Sequence, residues 1–168
     1  MTDFYLFDTP LGPMALASED GRAISRLYLP NSPTPRLMPH ATPLMEEGAR
    51  QLLEYLNGEL QEFDLPLAPQ GTPFQQKVWQ ALRAIPYGQT RTYKDIALAV
   101  DCPKGYRAVG MANHRNPLPI VIPCHRVVGA DRSLTGYAGG LELKQTLLAL
   151  ERHKNFLPPL ANSGEAGV

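Results

Sequence analysis

Residues Ile120 to Val128 read Ile-Val-Ile-Pro-Cys-His-Arg-Val-Val, a β-branched run broken at its middle by proline, a thiol and two basic side chains. A plain core strand is not written this way. Pro123 cannot donate to a ladder, and His125 and Arg126 are costly inside a dry sheet unless partnered. The interruption is read as functional, with Cys124 as the candidate nucleophile. A thiol of ordinary pKa is mostly protonated at neutral pH, so nucleophilic work requires a nearby cation or base, and His125 and Arg126 are candidates. In an extended segment neighbouring side chains point to opposite faces, so His125 would reach the Cys124 sulfur only through a bridging water. An imidazole in such a relay needs a group to orient it. Glu151, on a helix expected from about Gly140 to Arg152, is one available carboxylate.

Tightly turned segments flank this run, Asn116-Pro117-Leu118-Pro119 before it and Gly136-Tyr137-Ala138-Gly139-Gly140 after it. Loops of this kind commonly wall a pocket, and Tyr137, an aromatic set among four small residues, is a candidate to stack on a base. The chain has one other cysteine, Cys102. Two cysteines are too few for a disulfide framework, and Cys102 is read as a turn residue kept away from Cys124 by an intervening helix.

The elements that must hold these residues can be read from pattern. Apolar runs at Phe4 to Phe7, Met14 to Ala17 and Ile24 to Leu29, separated by turn residues, predict a small antiparallel sheet. Five prolines between Pro30 and Pro43 exclude continuous helix or central strand there. Thr42-Pro43 then offers a cap and a first helical position, and Met45, Ala49, Leu52, Leu53, Leu56 and Leu60 recur at helical spacing, so a helix is expected from about 43 to 57. Residues 61–71 hold Pro66, Pro69 and Gly71 and make the best candidate boundary between a first domain (1–70) and a second (71–155), with a flexible tail at 156–168.

Beyond the boundary, Thr72-Pro73-Phe74-Gln75 is a capping box leading into Phe74, Val78, Leu82 and Ile85. That helix should end at Pro86-Tyr87-Gly88. Thr92 begins another through Val100, Asp101-Cys102-Pro103 turns, and a third spans Lys104 to about His114, a spacing shared by the helix-turn-helix and the ordinary helical hairpin. The third helix contains Ala108, Gly110 and Ala112, small residues that permit close approach to a neighbouring helix or to a groove wall.

Of the 168 residues 43% are hydrophobic and 19% charged, as expected of a compact soluble chain, and no apolar run approaches a membrane span. Met1-Thr2-Asp3-Phe4 has no export signature, which predicts a reducing, cytoplasmic home. The formal net charge of zero conceals a division. Residues 1–70 carry four arginines against ten acids, net −6; residues 71–155 carry twelve Lys and Arg against five acids, net +7. A basic second half suits a polyanion or a solvated face.

Pro-Cys-His-Arg-Val-Val followed by Gly-Tyr-Ala-Gly-Gly resembles the active-site signature of the O6-alkylguanine-DNA alkyltransferases. The likeness runs from about Thr72 to Glu151 and includes Gln76-Lys77-Val78-Trp79, Tyr93, Arg107-Ala108-Val109-Gly110 and Asn116-Pro117; the first seventy residues resemble the family only loosely. It implies an α+β protein: a ribonuclease-H-like first domain, with its small antiparallel sheet and helix, and a winged helix-turn-helix DNA-binding domain that approaches the minor groove. It implies a monomer acting on double-stranded DNA that contains O6-alkylguanine, with O4-alkylthymine an open second substrate and no cofactor. By the same resemblance Cys124 is the nucleophile, His125 its water-mediated base, Glu151 the orienter of His125, and Arg107 a finger replacing the flipped guanine. Tyr93 rotates that nucleotide out and protonates the leaving base. Thr92, Lys94, Tyr106, Ala108 and Gly110 would lie with Tyr93 and Arg107 against DNA. Asn116, Pro119, Arg126, Val127, Tyr137, Ala138 and Gly139 would form the substrate pocket. Family members often have serine where this chain has Ala138, but the contact there is a backbone N–H. Some carry a structural zinc in the first domain; here that region has no cysteine and only His40, so no metal is expected.

Attack of sulfur on an alkyl carbon leaves a thioether, which offers water no good leaving group, so each molecule should act once. Two other readings differ on this chemistry. A lesion-binding module without transfer activity has tryptophan in place of the cysteine, and a thiol hydrolase would turn over repeatedly.

Overall fold

A computed structural model gives the architecture and describes residues 2–131, 133, 134, 136, 137 and 139–153. They form two compact units, one holding the chain up to Pro69 and the end of the last helix from Ala149, the other Gln70–Leu148. Among the described residues no helix is long and apolar enough to cross a membrane.

In the first unit β1 (Asp3–Thr9), β2 (Gly12–Ser18) and β3 (Arg26–Tyr28) pair antiparallel in that order. The β1–β2 turn is short because Gly12 takes φ 119°, and the Thr9 hydroxyl donates to the Gly12 carbonyl at 2.7 Å. Helix α1 (Pro43–Leu56) starts as its sequence requires, with the Thr42 hydroxyl accepting from Met45 N at 3.3 Å and proline in the first turn. Gly48 lets the helix pack closely, since a Cβ there would stand 2.8 Å from Ile24 Cδ1 and 2.9 Å from Leu16 Cδ1. The buried stripe of α1 includes Met45, Ala49, Leu52, Tyr55 and Leu56. The expected apolar face is corrected at two positions: Leu53 is only half-buried and Leu60 lies beyond the helix end, while Tyr55 occupies the stripe instead. Residues 61–68 are tied down rather than loose. Gln51 donates to Asp64 O at 3.1 Å and accepts from Asp64 N at 2.9 Å, and Ile24 exchanges two backbone bonds with Pro66 and Ala68 at 2.8 Å each.

The second unit opens with α2 (Pro73–Arg83), whose Thr72–Gln75 capping box is complete, the Thr72 hydroxyl accepting at 3.1 Å and Gln75 Oε1 at 2.9 Å. The helix ends at Ala84, ahead of the expected Pro86 stop. Strand β4 (Arg91–Thr92), α3 (Tyr93–Ala99) and α4 (Tyr106–His114) follow, and β4 pairs in parallel with β5 (Val127–Val128). Last comes α5 (Leu141–His153), within which the division between the units falls. The α3–α4 turn is tight: Asp101 takes φ 60°, Cys102 N donates to Ala97 O and Gly105 N to Cys102 O, each at 2.8 Å. A Cβ on Gly105 would stand 2.5 Å from Cys102 Sγ, so a larger residue where α4 begins would make the Cys102 side chain shift. Trp79 anchors this core, its indole N–H donating to Ala112 O at 2.9 Å and so joining α2 to α4.

Trp79→Phe removes that donor and strands the buried Ala112 carbonyl, so it should lower stability by about 2 kcal/mol. Urea unfolding followed by circular dichroism measures it.

Candidate active site and DNA interface

The segment around Cys124 is not an extended strand. Pro123 has φ −79° and ψ 65°, and Cys124 N donates to Ile122 O at 2.7 Å, which is an inverse γ-turn. A one-turn 3₁₀ helix, Cys124–Arg126, follows it, with Arg126 N donating to Pro123 O at 3.0 Å. Only Val127 and Val128 continue as strand. Proline cannot extend the pairing, so the chain folds back on itself and carries the thiol at the bend. Just upstream, Ile120 holds φ 73°, a costly left-handed conformation for a β-branched side chain, stabilised by the Ile122 N to Leu118 O bond at 2.8 Å.

Asn116 builds the other wall. It is buried, its amide donates to Ile122 O at 2.7 Å, and its carbonyl oxygen accepts from Leu118 N at 2.9 Å. Pro119 is buried within the same loop. A primary amide has a second N–H, and Asn116 also hydrogen-bonds the Cys124 sulfur, favouring the thiolate.

Cys124 is 2% exposed, and burial pushes its thiol up to about 11. The Asn116 amide opposes that rise most, followed by the positive charge of Lys144 and the backbone N–H groups of Cys124 and His125. Lys144, in the part of α5 that groups with the second unit, is itself buried, which holds its ammonium down to about 8 while the thiolate's charge pulls the other way. Neither Lys144 nor Asn113, whose amide donates to Cys124 O at 3.4 Å, was expected at the site. A signal existed for Lys144, which shares the helical stripe 144, 147, 148, 151 with Leu147, Leu148 and Glu151, all buried.

The other expected residues fall into place as follows. His125 is fully buried beside Cys124 in the chain. Arg126 points elsewhere than the thiol, donating to Ile85 O at 2.7 Å with its guanidinium 5.7 Å from the Tyr87 ring centroid, so it clamps the turn to the end of α2. Val127 and Tyr137 are buried, and Gly139 is half-buried. Ala138 lies outside the described residues. Glu151 belongs to the first unit, 6% exposed, and accepts from the Tyr55 hydroxyl at 2.5 Å.

The helix-turn-helix presents a separate face. Thr92 caps α3, accepting from Asp95 N at 3.1 Å, so its hydroxyl oxygen is engaged in the fold. Arg107, Ala108 and Lys94 are exposed, Tyr106 and Met111 are about half exposed, and no ion pair among the described residues engages Lys94, Lys104, Arg107 or Arg115. Internal packing does not demand glycine at 110, because a Cβ there would meet only the Tyr93 ring, at 3.9 Å.

The second unit therefore joins a helix-turn-helix with a cationic outer helix to a buried thiol acted on by an amide and a lysine, the arrangement of a nucleic-acid-binding protein. Residues 73–153 match the family described as 6-O-methylguanine DNA methyltransferase, DNA binding domain, and residues 4–69 match its ribonuclease-like domain. The chain belongs to this family. It is 52% identical over 153 residues to the constitutive methylated-DNA–protein-cysteine methyltransferase of Bacillus subtilis, covering 86% of this chain and 92% of that one. Its identity to the Methanosarcina barkeri methylated-DNA–protein-cysteine methyltransferase is 47%, over 88% and 96% of the two chains. Among solved structures it is similar to Mycobacterium tuberculosis OGT in complex with DNA, with TM-score 0.81 and 44% identity over 89% of this chain and 92% of that one.

Lys144→Met keeps the packing volume and deletes the cation, so it should slow carboxamidomethylation of Cys124 by iodoacetamide at constant pH by about tenfold, the equivalent of one pKa unit. Peptide mass mapping with Cys102 as internal reference reads the effect.

Proposed function

We propose that this chain repairs DNA by direct reversal, moving the O6-alkyl group of a flipped-out alkylguanine onto Cys124 in a single irreversible turnover. The observation that carries the reading is the placement of one buried thiol, bonded by Asn116 and facing Lys144, within the same compact unit as an exposed basic recognition helix. Burial that disfavours the thiolate at rest makes deprotonation a step that needs a base. His125 takes the Cys124 proton through water. The sulfur then attacks the alkyl carbon, an S–C bond forms as the C–O6 bond breaks, and Tyr93 gives a proton to the departing guanine. The thioether product cannot be hydrolysed, so the protein is consumed.

On the DNA side, α4 enters the minor groove as a monomer. Small residues at 108 and 110 admit the sugar-phosphate walls, Arg107 replaces the extruded base in the stack, and Thr92, Lys94 and Tyr106 contact the backbone. Pro119, Val127, Tyr137, Ala138 and Gly139 surround the flipped base, with Arg126 bracing the pocket from behind. Residues 1–70 and 71–155 act as its two domains, the expected tail at 156–168 lies outside the described residues, and the protein works in the cytoplasm without a cofactor.

Intact-mass measurement after mixing with excess duplex containing O6-methylguanine tests the chemistry. The expected result is one gain of about 14 Da mapped to Cys124 and absent from Cys124→Ser, as single-thiol transfer requires. Tight DNA binding with no mass change would mean lesion recognition alone, and repeated release of product would mean a hydrolase. Gly110→Ala separates fold from docking: alanine should raise stability by about 0.5–1 kcal/mol, as in other helix interiors, while weakening DNA binding. Thermal melting and fluorescence anisotropy give the two numbers.

A further inference from the structure

We propose that Asn113 is a specificity-determining residue, its side-chain carbonyl accepting a hydrogen bond from the exocyclic 2-amino group of the flipped alkylguanine. This rests on the repair reading above and deepens it by naming what the site reads on the base. Asn113 stands in the last turn of α4 and is 3% exposed. Its amide nitrogen donates to Cys124 O at 3.4 Å, a long hydrogen bond, while its Oδ1 is sealed from solvent and takes no donor among the described residues. Turning the amide over does not help, because Oδ1 would then face the Cys124 carbonyl oxygen, one acceptor against another. A buried acceptor without a donor is costly, and an apolar side chain would fill the position without that cost.

Holding the nucleophile's turn does not account for it. Asn116 performs that work with both ends of its amide, at 2.7 and 2.9 Å, whereas Asn113 engages one end, weakly. The backbone beside Asn113 is fixed, since Trp79 donates to the carbonyl of the preceding Ala112 at 2.9 Å. Oδ1 is therefore a held acceptor next to the reacting cysteine, and Cys124 is sealed to a similar degree, at 2%. A base that reaches the sulfur must open the site that both share. An O6-alkylguanine brings one kind of N–H to it: alkylation leaves N1 without hydrogen, N3, N7 and O6 are acceptors, and only the 2-amino group donates. Pairing that amine with Oδ1 supplies the absent bond when the substrate is in place, so an acceptor that is costly at rest becomes a means of discrimination.

The test compares full-length wild type with Asn113→Leu, close in volume and without an acceptor, on two duplexes that differ only in the lesion. One carries O6-methylguanine, the other O6-methylhypoxanthine, the same base without its 2-amino group. Single-turnover methyl transfer is timed below saturation, and folded fraction is read by circular dichroism. Both proteins meet the same duplexes, so differences in how the two lesions pair cancel in the comparison. The ratio of the guanine rate to the hypoxanthine rate should fall about tenfold in Asn113→Leu, the scale of one hydrogen bond. Asn113→Met, a second side chain without an acceptor carbonyl that adapts to irregular gaps, repeats the comparison should the leucine variant unfold. A ratio unchanged from wild type, equal slowing on both lesions included, overturns the inference alone and leaves Asn113 a holder of the turn. A wild type that accepts methyl from neither duplex overturns the repair reading, and this inference with it.

Discussion

Excluding water from a sulfur atom makes its anion expensive, and the second unit is organised around that cost. Cys124 is sealed, its thiol pushed up to about 11, and the groups arranged about it each offset part of the penalty: an amide hydrogen bond from Asn116 and the field of Lys144. Lys144 shares the burden, since the same dry surroundings hold its ammonium down to about 8. In the proposed reaction such burial keeps the thiol protonated until a substrate arrives. That suits a protein that would lose itself in any wasted reaction.

The local backbone follows from the same constraint. A thiol in a regular strand would face either a packed core or open water. The γ-turn at Pro123 and the 3₁₀ turn after it place the sulfur at a bend, where side chains from the 116–122 loop and from α5 can reach it. Arg126 then clamps the turn to Ile85, so the bend is held from two sides. The left-handed Ile120 is part of what the arrangement costs, and the hydrogen bonds of Leu118, Asn116 and Ile122 retain it.

Much of this was legible in the residues themselves. The capping box at Thr72 announced a helix because its chemistry is local, and Pro123 announced a break because its missing donor is a property of one residue. What the break becomes was not legible, since alternation along a strand assumes the strand continues; the expectation of an extended Cys124-His125 pair failed for that reason. Arg126 looked like a cation for the thiol because neighbours in sequence were the only neighbours visible. Its real partner, Ile85, lies 41 positions away. Lys144 and Asn113 were missed because Cys124, which each of them meets, lies outside their helices, although the buried stripe of α5 carried a signal for Lys144.

One helix carries both ends of the buried polar set on α5. Lys144 and Glu151 are seven positions apart, two turns of an α-helix, and therefore share a face. An insertion or deletion of one residue between them would swing one against the other by about 100°.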